Sequence, residues 1–409
     1  MATSIEQKIP GYRSESQVMG QEPLAINLGP SHPAMHGTIR IMAHLDGETI
    51  VFADAEMGYL HRGFEKTAEA KTWNQVVPYT DRLNYVSPII NNVGYALAVE
   101  KLLSIQTPER CQYIRVIMSE LSRIGDHLTC IGASAMELGA MTAFLYFMQA
   151  REFLWQLVEE VTGARLTISY TRVGGLSRDL TPDFAERFAF VAGKVESALR
   201  EVDGLLSRNR IFLDRMDGVG VLSKERSLSY GFTGPLLRAA GEPYDVRKAF
   251  PYLVYDRLKF EIPTGSKGDN LDRYLVRMEE MRQSLSIIRQ ALAQIPEGPI
   301  NAADPSVVLP EKKDVYTNIE ALMNHFKLIM PGHGIRPPQG EVYFPVEGGN
   351  GELGFWIISD GSDRPYRVRV RPPCFPLMAA VEEMIVGQQV ADLIPIFGSI
   401  NMIAGELDR

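Results

Sequence analysis

The chain has 409 residues, 45% of them hydrophobic, which suits roughly two to three domains or one large unit with appendages. A formal net charge of −8 gives nucleic acid no electrostatic reason to bind, and none is expected as a partner. The three cysteines, Cys111, Cys130 and Cys374, are far apart and form no CxxC, which excludes a self-contained cysteine-ligated zinc, iron–sulfur or nickel site and argues against a secreted disulfide scaffold.

Residues 1–23 read as a polar arm without an apolar core, so neither a signal nor a transit peptide is expected. Strand-like runs at Leu24–Leu28 and 38–45 flank residues 29–37, GPSHPAMHG, a Gly- and Pro-rich loop carrying His32 and His36. An imidazole titrates near ~6.5 and suits proton chemistry at neutral pH; it also serves to satisfy a turn backbone. The residues alone favour the second role for His32 and leave His36 open between the two. Ile39, Ile41, Ala43 and Leu45 alternate onto one face, with His44 on the opposite, surface face, and Asp46-Gly47 predicts a hairpin turn into a strand at 48–55. Residues 57–66, MGYLHRGFEK, then leave the sheet with His61 and Arg62.

From Pro88 the period becomes helical. A buried helix is predicted over Pro88–Leu103, and Thr107-Pro108-Glu109 reads as a helix start with Thr107 as cap. Ile114, Ile117, Met118, Leu121, Ile124 and Leu128 follow at three- and four-residue spacing, and apolar density continues to Val161, with breaks expected at Gly132 and Gly139. The most apolar run, 138–150, is too short for a membrane-spanning helix, which needs about 20 residues. Thr181-Pro182-Asp183 starts another helix reaching Leu206. Residues 216–263 lose the period and read as irregular connection. A long amphipathic helix over 268–294 carries a stripe that includes Leu271, Tyr274, Leu275, Met278, Met281, Leu285, Ile288 and Leu292.

A further helix is predicted near 318–328, then antiparallel strands at 341–346, 352–359 and 366–371. In the last, Val368 and Val370 face inward while Arg367, Arg369 and Arg371 face solvent or a partner's acidic surface. Residues 349–354 match the dinucleotide pattern GxGxxG but lie between two antiparallel strands, with no helix N-terminus to meet a pyrophosphate. What remains is a set of polar groups in apolar surroundings: His36, Arg62, Arg82, Tyr85 and Glu137. A carboxylate in ASAMELGAMTAFLYFM needs a partner or a shifted pKa if buried, although helix ends also recruit Glu. Met136, Met141, Phe144 and Phe147 beside it read either as core or as the lining of a pocket for a flat apolar ligand.

GPSHPAMHG, GYLHRGFEK, PYTDRLNYVS, YALAVEKLL, ELSRIGDHL, YTRVGGL, YDVRKAFPY, ELGFWIISDGSDRPYRVRVR and GELDR together resemble the 49 kDa subunit of NADH:quinone oxidoreductase, respiratory complex I, from about residue 24 to 409. That family is homologous to the large subunit of [NiFe] hydrogenases. The resemblance therefore implies an α+β, mainly α fold: a hydrogenase-like helical bundle with N- and C-terminal antiparallel sheets. The hydrogenase CxxC pairs would fall near residues 61–64 and in the terminal GELDR, and neither segment contains cysteine, so no metal is expected.

By the same resemblance His36 and Tyr85 hydrogen-bond a quinone headgroup, Glu137 supports the quinone site, and Arg62 lies beside a terminal iron–sulfur cluster held by a partner subunit. This chain would bind no cofactor of its own, with quinone as substrate. The implied partners are the iron–sulfur subunit, other peripheral-arm subunits and the membrane-arm subunits. The implied location is the cytoplasmic face of the bacterial inner membrane, as a peripheral subunit. Three positions depart from the family pattern: Glu137 stands for a usual Asp that pairs with the position of His36, Ala143 for a Pro, and Thr167 for a His that makes the cluster potential pH-dependent. The expected units are the arm 1–23, an N-terminal sheet and quinone-site loop over 24–86, a helical core over 87–330, and a C-terminal sheet and tail over 331–409. The alternatives are a [NiFe] hydrogenase-like large subunit and a purely structural assembly subunit.

Overall fold

Alternation of apolar and polar residues builds the first sheet. In the computed structural model, which describes residues 24–409 apart from Ala34, His36 and Pro331, strands β1 (Leu24–Leu28), β2 (Arg40–Asp46) and β3 (Thr49–Glu56) pair antiparallel in that order. The arm expected over 1–23 lies outside the described residues. Ile39, Ile41, Ala43 and Leu45 are buried, as the alternation requires. The turn falls one residue later than expected: Asp46 pairs with Thr49, so Gly47 and Glu48 form the loop and Gly47 alone takes a positive φ, 61°. His44 does not stand free on the surface but meets Phe52 edge-on at 5.4 Å.

Five long helices form the main body: α1 (Pro88–Leu103), α2 (Glu109–Glu137), α3 (Met141–Thr162), α4 (Phe184–Leu206) and α5 (Asn270–Gln294). Helix α2 packs on α1, α3 and α5 and buries residues around nearly its whole circumference. Gly132 lies inside it and does not interrupt it; Gly139, at φ 87°, turns the chain into α3. The caps sit one or two residues later than read from sequence, at Pro108 for α2 and Asp183 for α4. On α5 the predicted stripe is buried at Tyr274, Met278, Met281, Leu285 and Ile288, but Leu275 is 43% exposed, while Arg273, Arg277 and Glu280 are buried instead.

Between 216 and 263 the chain is not wholly irregular. Short helices occupy Lys224–Tyr230, Gly234–Ala239 and Val246–Ala249, too brief to show a period. Two more, Phe64–Glu69 and Trp73–Thr80, also escape the sequence reading; the second is closed by a capping box between Thr72 and Gln75. The helix expected near 318–328 is Ile319–Ile329, capped by the side chain of Asn318. Strands β4 (Thr171–Arg172) and β5 (Gly175–Leu176) make a minimal hairpin, and β6 (Gly340–Glu347), β7 (Glu352–Ser359) and β8 (Arg367–Arg371) a second three-stranded antiparallel sheet. Val368 and Val370 point inward, and this chain supplies partners for the arginine row: Glu69 for Arg367 at 3.2 Å, Glu65 for Arg369 at 3.7 Å, and the Thr233 hydroxyl for Arg371 at 2.9 Å. The fold is thus mainly helical with small antiparallel sheets.

The apolar residues divide into two cores. One joins α1–α5 to the second sheet. The other joins β1–β3 to the last residues of the chain, the helices Cys374–Ala379, Val381–Ile385, Val390–Ile400 and Ala404–Leu407. Backbone bonds of Ile50 to Gln388 and Gly387, and a bridge from Thr49 to Gln389, stitch the C-terminal segment to the N-terminal sheet.

The helical core buries charge, and it pairs most of it; Arg273 and Arg277 are satisfied by carbonyl and hydroxyl acceptors. Arg115 grips Glu100 with two bonds of 2.6 and 2.8 Å. Glu120 accepts from Arg123, Arg247, Tyr255 and Ser284; Arg238 spans Glu280 and Glu347 at 2.7 and 2.8 Å; His127, kept neutral by burial, donates Nε2–H to Glu280. Burial by itself would raise the Glu120 carboxyl, but Arg123 and Arg247 outweigh it and hold the pKa at about 2. Asp245, beside Arg247, is likewise held at about 2 against its burial. Removing one partner leaves a bare buried charge, so Glu100→Ala is expected to cost about 3–5 kcal/mol, measured by thermal or chemical unfolding. The depressed carboxyls give a sign to acid unfolding. Their stabilisation is complete above the ordinary values of 4.5 and 3.8 and drains away as the pH falls towards about 2, so unfolding midpoints should drop through that window.

Candidate functional site

Tyr85 projects from a tight turn between the helix Trp73–Thr80 and α1. The side chain of Asn84 makes that turn: its Oδ1 accepts from the backbone N–H of Val86 and Ser87 at 3.1 and 3.3 Å, an Asx-type turn that leaves little backbone freedom. Asn91 Nδ2 donates to the Asn84 carbonyl at 2.9 Å from the first turn of α1. Beneath the turn lies Asp126 of α2, fully buried. Its carboxylate accepts from Asn84 Nδ2 at 3.0 Å, Ser87 Oγ at 2.7 Å and Asn401 Nδ2 at 2.8 Å. Asn401 also donates to Asn350 Oδ1 at 2.6 Å, and Asn350 Nδ2 returns to the Asn401 carbonyl at 2.9 Å and reaches Cys374 Sγ at 3.4 Å.

The sequence reading missed this buried polar seam; its only signals were Asp126 in an apolar helical stretch and the GELDR tail. The GxGxxG segment belongs to the same seam. Gly349 lies so close to Asp126 that a side-chain carbon there would fall 2.1 Å from the carboxylate.

The C-terminal tail closes the arrangement. Asp408 accepts from the backbone N–H of Gly58 and Leu60 at 3.0 and 2.8 Å, and its carbonyl meets His61 Nδ1 at 2.6 Å. Arg62 then donates to the carbonyls of Arg82 and, at 3.3 Å, Gly405. Segment 57–63, the turn at 82–85 and the tail are thereby fastened together. Gly405 permits this approach: a side-chain carbon there would stand 2.6 Å from the Arg82 carbonyl oxygen and 2.8 Å from that of Leu83. Burial and the neighbouring charge of Arg82 push the pKa of Arg62 down, yet a guanidinium remains a cation.

Tyr85 is half-buried against the second core, and its phenol pKa is raised first by burial and then by Cys374, with Arg62 opposing. At neutral pH the group is therefore a phenol with a proton to donate. The structure brings Tyr85, Arg62 and Arg82 into one neighbourhood together with Cys374 and Asp126. His36 lies outside the described residues. An open cleft of about 510 Å³ lies beside the tail, lined by His61, Glu65, Phe375, Asp408 and Arg409 among others; neither Tyr85 nor Glu137 lines it.

Glu137 is the last residue of α2 and half-buried. Its carboxylate faces Gly398 in the helix Val390–Ile400; a side-chain carbon at Gly398 would lie 2.9 Å from Glu137 Oε2 and 3.1 Å from Ser134 Oγ. Arg277 donates to the carbonyls of Ser399 and Ile400 at the C-terminal end of that helix, where a cation suits the helix dipole. Of the nearby apolar residues, Phe147 is core, whereas Met136, Met141 and Leu145 are exposed. Thr167 is exposed in a loop that Ser169 anchors to the buried Asp81 through its N–H and hydroxyl, at 2.9 and 2.5 Å. Among the described residues no three His, Cys, Asp or Glu side chains converge to hold a metal ion.

Residues 137–409 match the family profile described as respiratory-chain NADH dehydrogenase, 49 Kd subunit. This chain belongs to that family. It is 52% identical over 417 residues to the D-type subunit of NADH-quinone oxidoreductase from Myxococcus xanthus, covering 100% of both proteins. The D-type subunit numbered 1 in Sorangium cellulosum is 57% identical over 389 residues, covering 95% of this chain and 96% of the relative. A Bdellovibrio bacteriovorus relative whose name joins the C and D types is 50% identical over 97% of this chain, which spans 70% of that longer protein.

The contact of Glu137 with Gly398 gives a packing test within this 49 kDa chain. Gly398→Ala is expected to destabilise by about 1–3 kcal/mol through overpacking. Combining it with Glu137→Asp, which withdraws the carboxylate by one methylene, should recover part of the loss in thermal unfolding; a double variant no more stable than the single one would rule out Glu137 as the obstructing group.

Proposed function

We propose that this chain forms the quinone-reduction site of proton-translocating NADH:quinone oxidoreductase, with Tyr85 and His36 holding the quinone headgroup. Tyr85 carries the reading: a phenol kept protonated by burial, on a turn pinned by Asn84, Ser87 and Asp126, next to the Arg62 cation. Reduction of a quinone to a quinol consumes two electrons and two protons. The phenol O–H of Tyr85 donates a hydrogen bond to one carbonyl oxygen and is placed to pass its proton there as electron density builds up. His36 takes the corresponding role at the other carbonyl by family resemblance. Glu137 supports His36, and the exposed Met136, Met141 and Leu145 give an apolar ligand a surface to follow.

The electrons come from an iron–sulfur cluster on a partner subunit. Arg62 faces that partner and favours the more negative, reduced side of the transfer. The meeting of segments 58–62 and 405–408 supports a scaffold of the [NiFe] hydrogenase large-subunit kind in which no cysteine remains at the two metal-binding segments. The other partners are further peripheral-arm and membrane-arm subunits, and the relative that joins the C and D types supports a C-type neighbour. Among the described residues no helix is long and apolar enough to cross a membrane, in keeping with a peripheral position on the cytoplasmic face of the bacterial inner membrane.

Tyr85→Phe should leave the complex assembled and lower quinone reductase activity by about 10²-fold or more; an assembled variant with unchanged activity would favour a purely structural role. A second expectation concerns Thr167, which cannot titrate. The midpoint potential of the partner's terminal cluster should vary only weakly with pH, and a redox titration giving a slope near one proton per electron would defeat it.

A further inference from the structure

Five glutamates of the described chain are almost wholly buried: Glu100, Glu120, Glu280, Glu347 and Glu406. The first four each hold an arginine within 3.2 Å. Glu406 does not: among the described residues no lysine, arginine or histidine forms an ion pair with it. Its Oε1 accepts from the backbone N–H of Cys374 at 3.1 Å, and the Cys374 thiol lies against the same carboxyl. A carboxyl so placed is disfavoured as an anion.

The surroundings of Glu406 lead towards Tyr85. Cys374 reaches Asn350, Asn350 pairs with Asn401, and Asn401 donates to Asp126, which holds the Tyr85 turn through Asn84 and Ser87. The charged and titratable groups that act on it come from three elements: Cys374 from the helix Cys374–Ala379, Asp126 from α2 and Arg371 from β8. On its own tail, the neighbouring Gly405 carbonyl accepts from Arg62, and Asp408 accepts from the backbone N–H of Gly58 and Leu60. Asp126 opposes ionisation and Arg371 favours it from a distance; burial outweighs both, and the pKa is pushed up to about 7.

We propose that Glu406 is a positioning residue for quinone reduction: as a neutral acid it leaves the surroundings of Tyr85 without added negative charge, and its ionisation opposes electron build-up on the bound headgroup. This rests on the quinone-site reading above. The carboxyl transfers nothing to the substrate; it sets the field in which Tyr85 works. Because the neutral form is the competent one, activity is sustained below about pH 7 and declines above it.

The test uses the assembled complex. In the unmodified complex, quinone reductase activity should fall severalfold from a plateau below about pH 6 to a lower one above about pH 8. In Glu406→Gln, which keeps an acceptor for the Cys374 N–H but cannot ionise, the ratio of activities at about pH 8 and pH 6 should rise severalfold as that limb disappears. Cys374→Ser, whose hydroxyl donates a stronger hydrogen bond to the carboxylate, should move the limb to lower pH. Infrared difference spectra should show the carboxylic-acid band of Glu406 lost as the pH rises through neutrality, a readout that needs neither quinone nor the Gln variant's assembly. A limb unchanged in Glu406→Gln, or a carboxyl already ionised at about pH 6, overturns the inference. Neither result touches the Tyr85 site, whose own failure is read from Tyr85→Phe.

Discussion

One carboxylate ties the Tyr85 turn and the C-terminal segment to the helical body of this protein. Asp126 is buried in the longest helix and accepts from three side chains that are far apart in sequence, Asn84, Ser87 and Asn401. A buried carboxylate is tolerated only when its lone pairs are occupied, so each donor is held where Asp126 requires it. Through Asn84 and Ser87 this fixes the Tyr85 turn; through Asn401 it fixes the C-terminal segment against the helical body. The seam runs between the two apolar cores, and the geometry of Tyr85 depends on their relative placement.

The two buried polar regions differ in chemistry. In the helical core, guanidinium and carboxylate alternate, from Arg115 and Glu100 to Arg238 between Glu280 and Glu347, while Arg273 and Arg277 of α5 are held by carbonyls and hydroxyls instead. Around Asp126 the donors are amides and a hydroxyl, and Glu406 lies beyond them, held by Cys374. The first pattern buries formal charge and makes the body sensitive to loss of any one partner. The second buries Asp126 and Glu406 with neutral donors and without a basic ion-pair partner among the described residues.

The C-terminal residues act on both. Asp408 clamps the backbone of segment 58–61, and Gly405 lets Arg62 bond across to the turn at Arg82. Segments from opposite ends of the chain thus share one small neighbourhood, and the cation of Arg62 is held by carbonyls rather than by a carboxylate. Asp408 is the carboxylate whose charge acts on it, against the like charge of Arg82.

Much was legible in the sequence because local physics expressed it. Alternation marked β1–β3 and the second sheet, helical spacing marked α2 and α5, apolar density α1 and α3, a Thr-Pro-Asp start α4, and Glu137 and Tyr85 stood out as polar groups in apolar surroundings. The family was legible from many colinear motifs. What tertiary structure alone decided were the features with no local signature: the short helices between 216 and 263, the arginines and glutamate buried in α5 beside an exposed Leu275, and the capture of Arg367, Arg369 and Arg371 by this chain's own groups. The seam of Asp126, Asn350, Cys374, Asn401 and Glu406 belongs with them. Whether a polar side chain is solvated, paired or left as a neutral acid depends on which distant segment folds against it, and no periodicity along the chain carries that information.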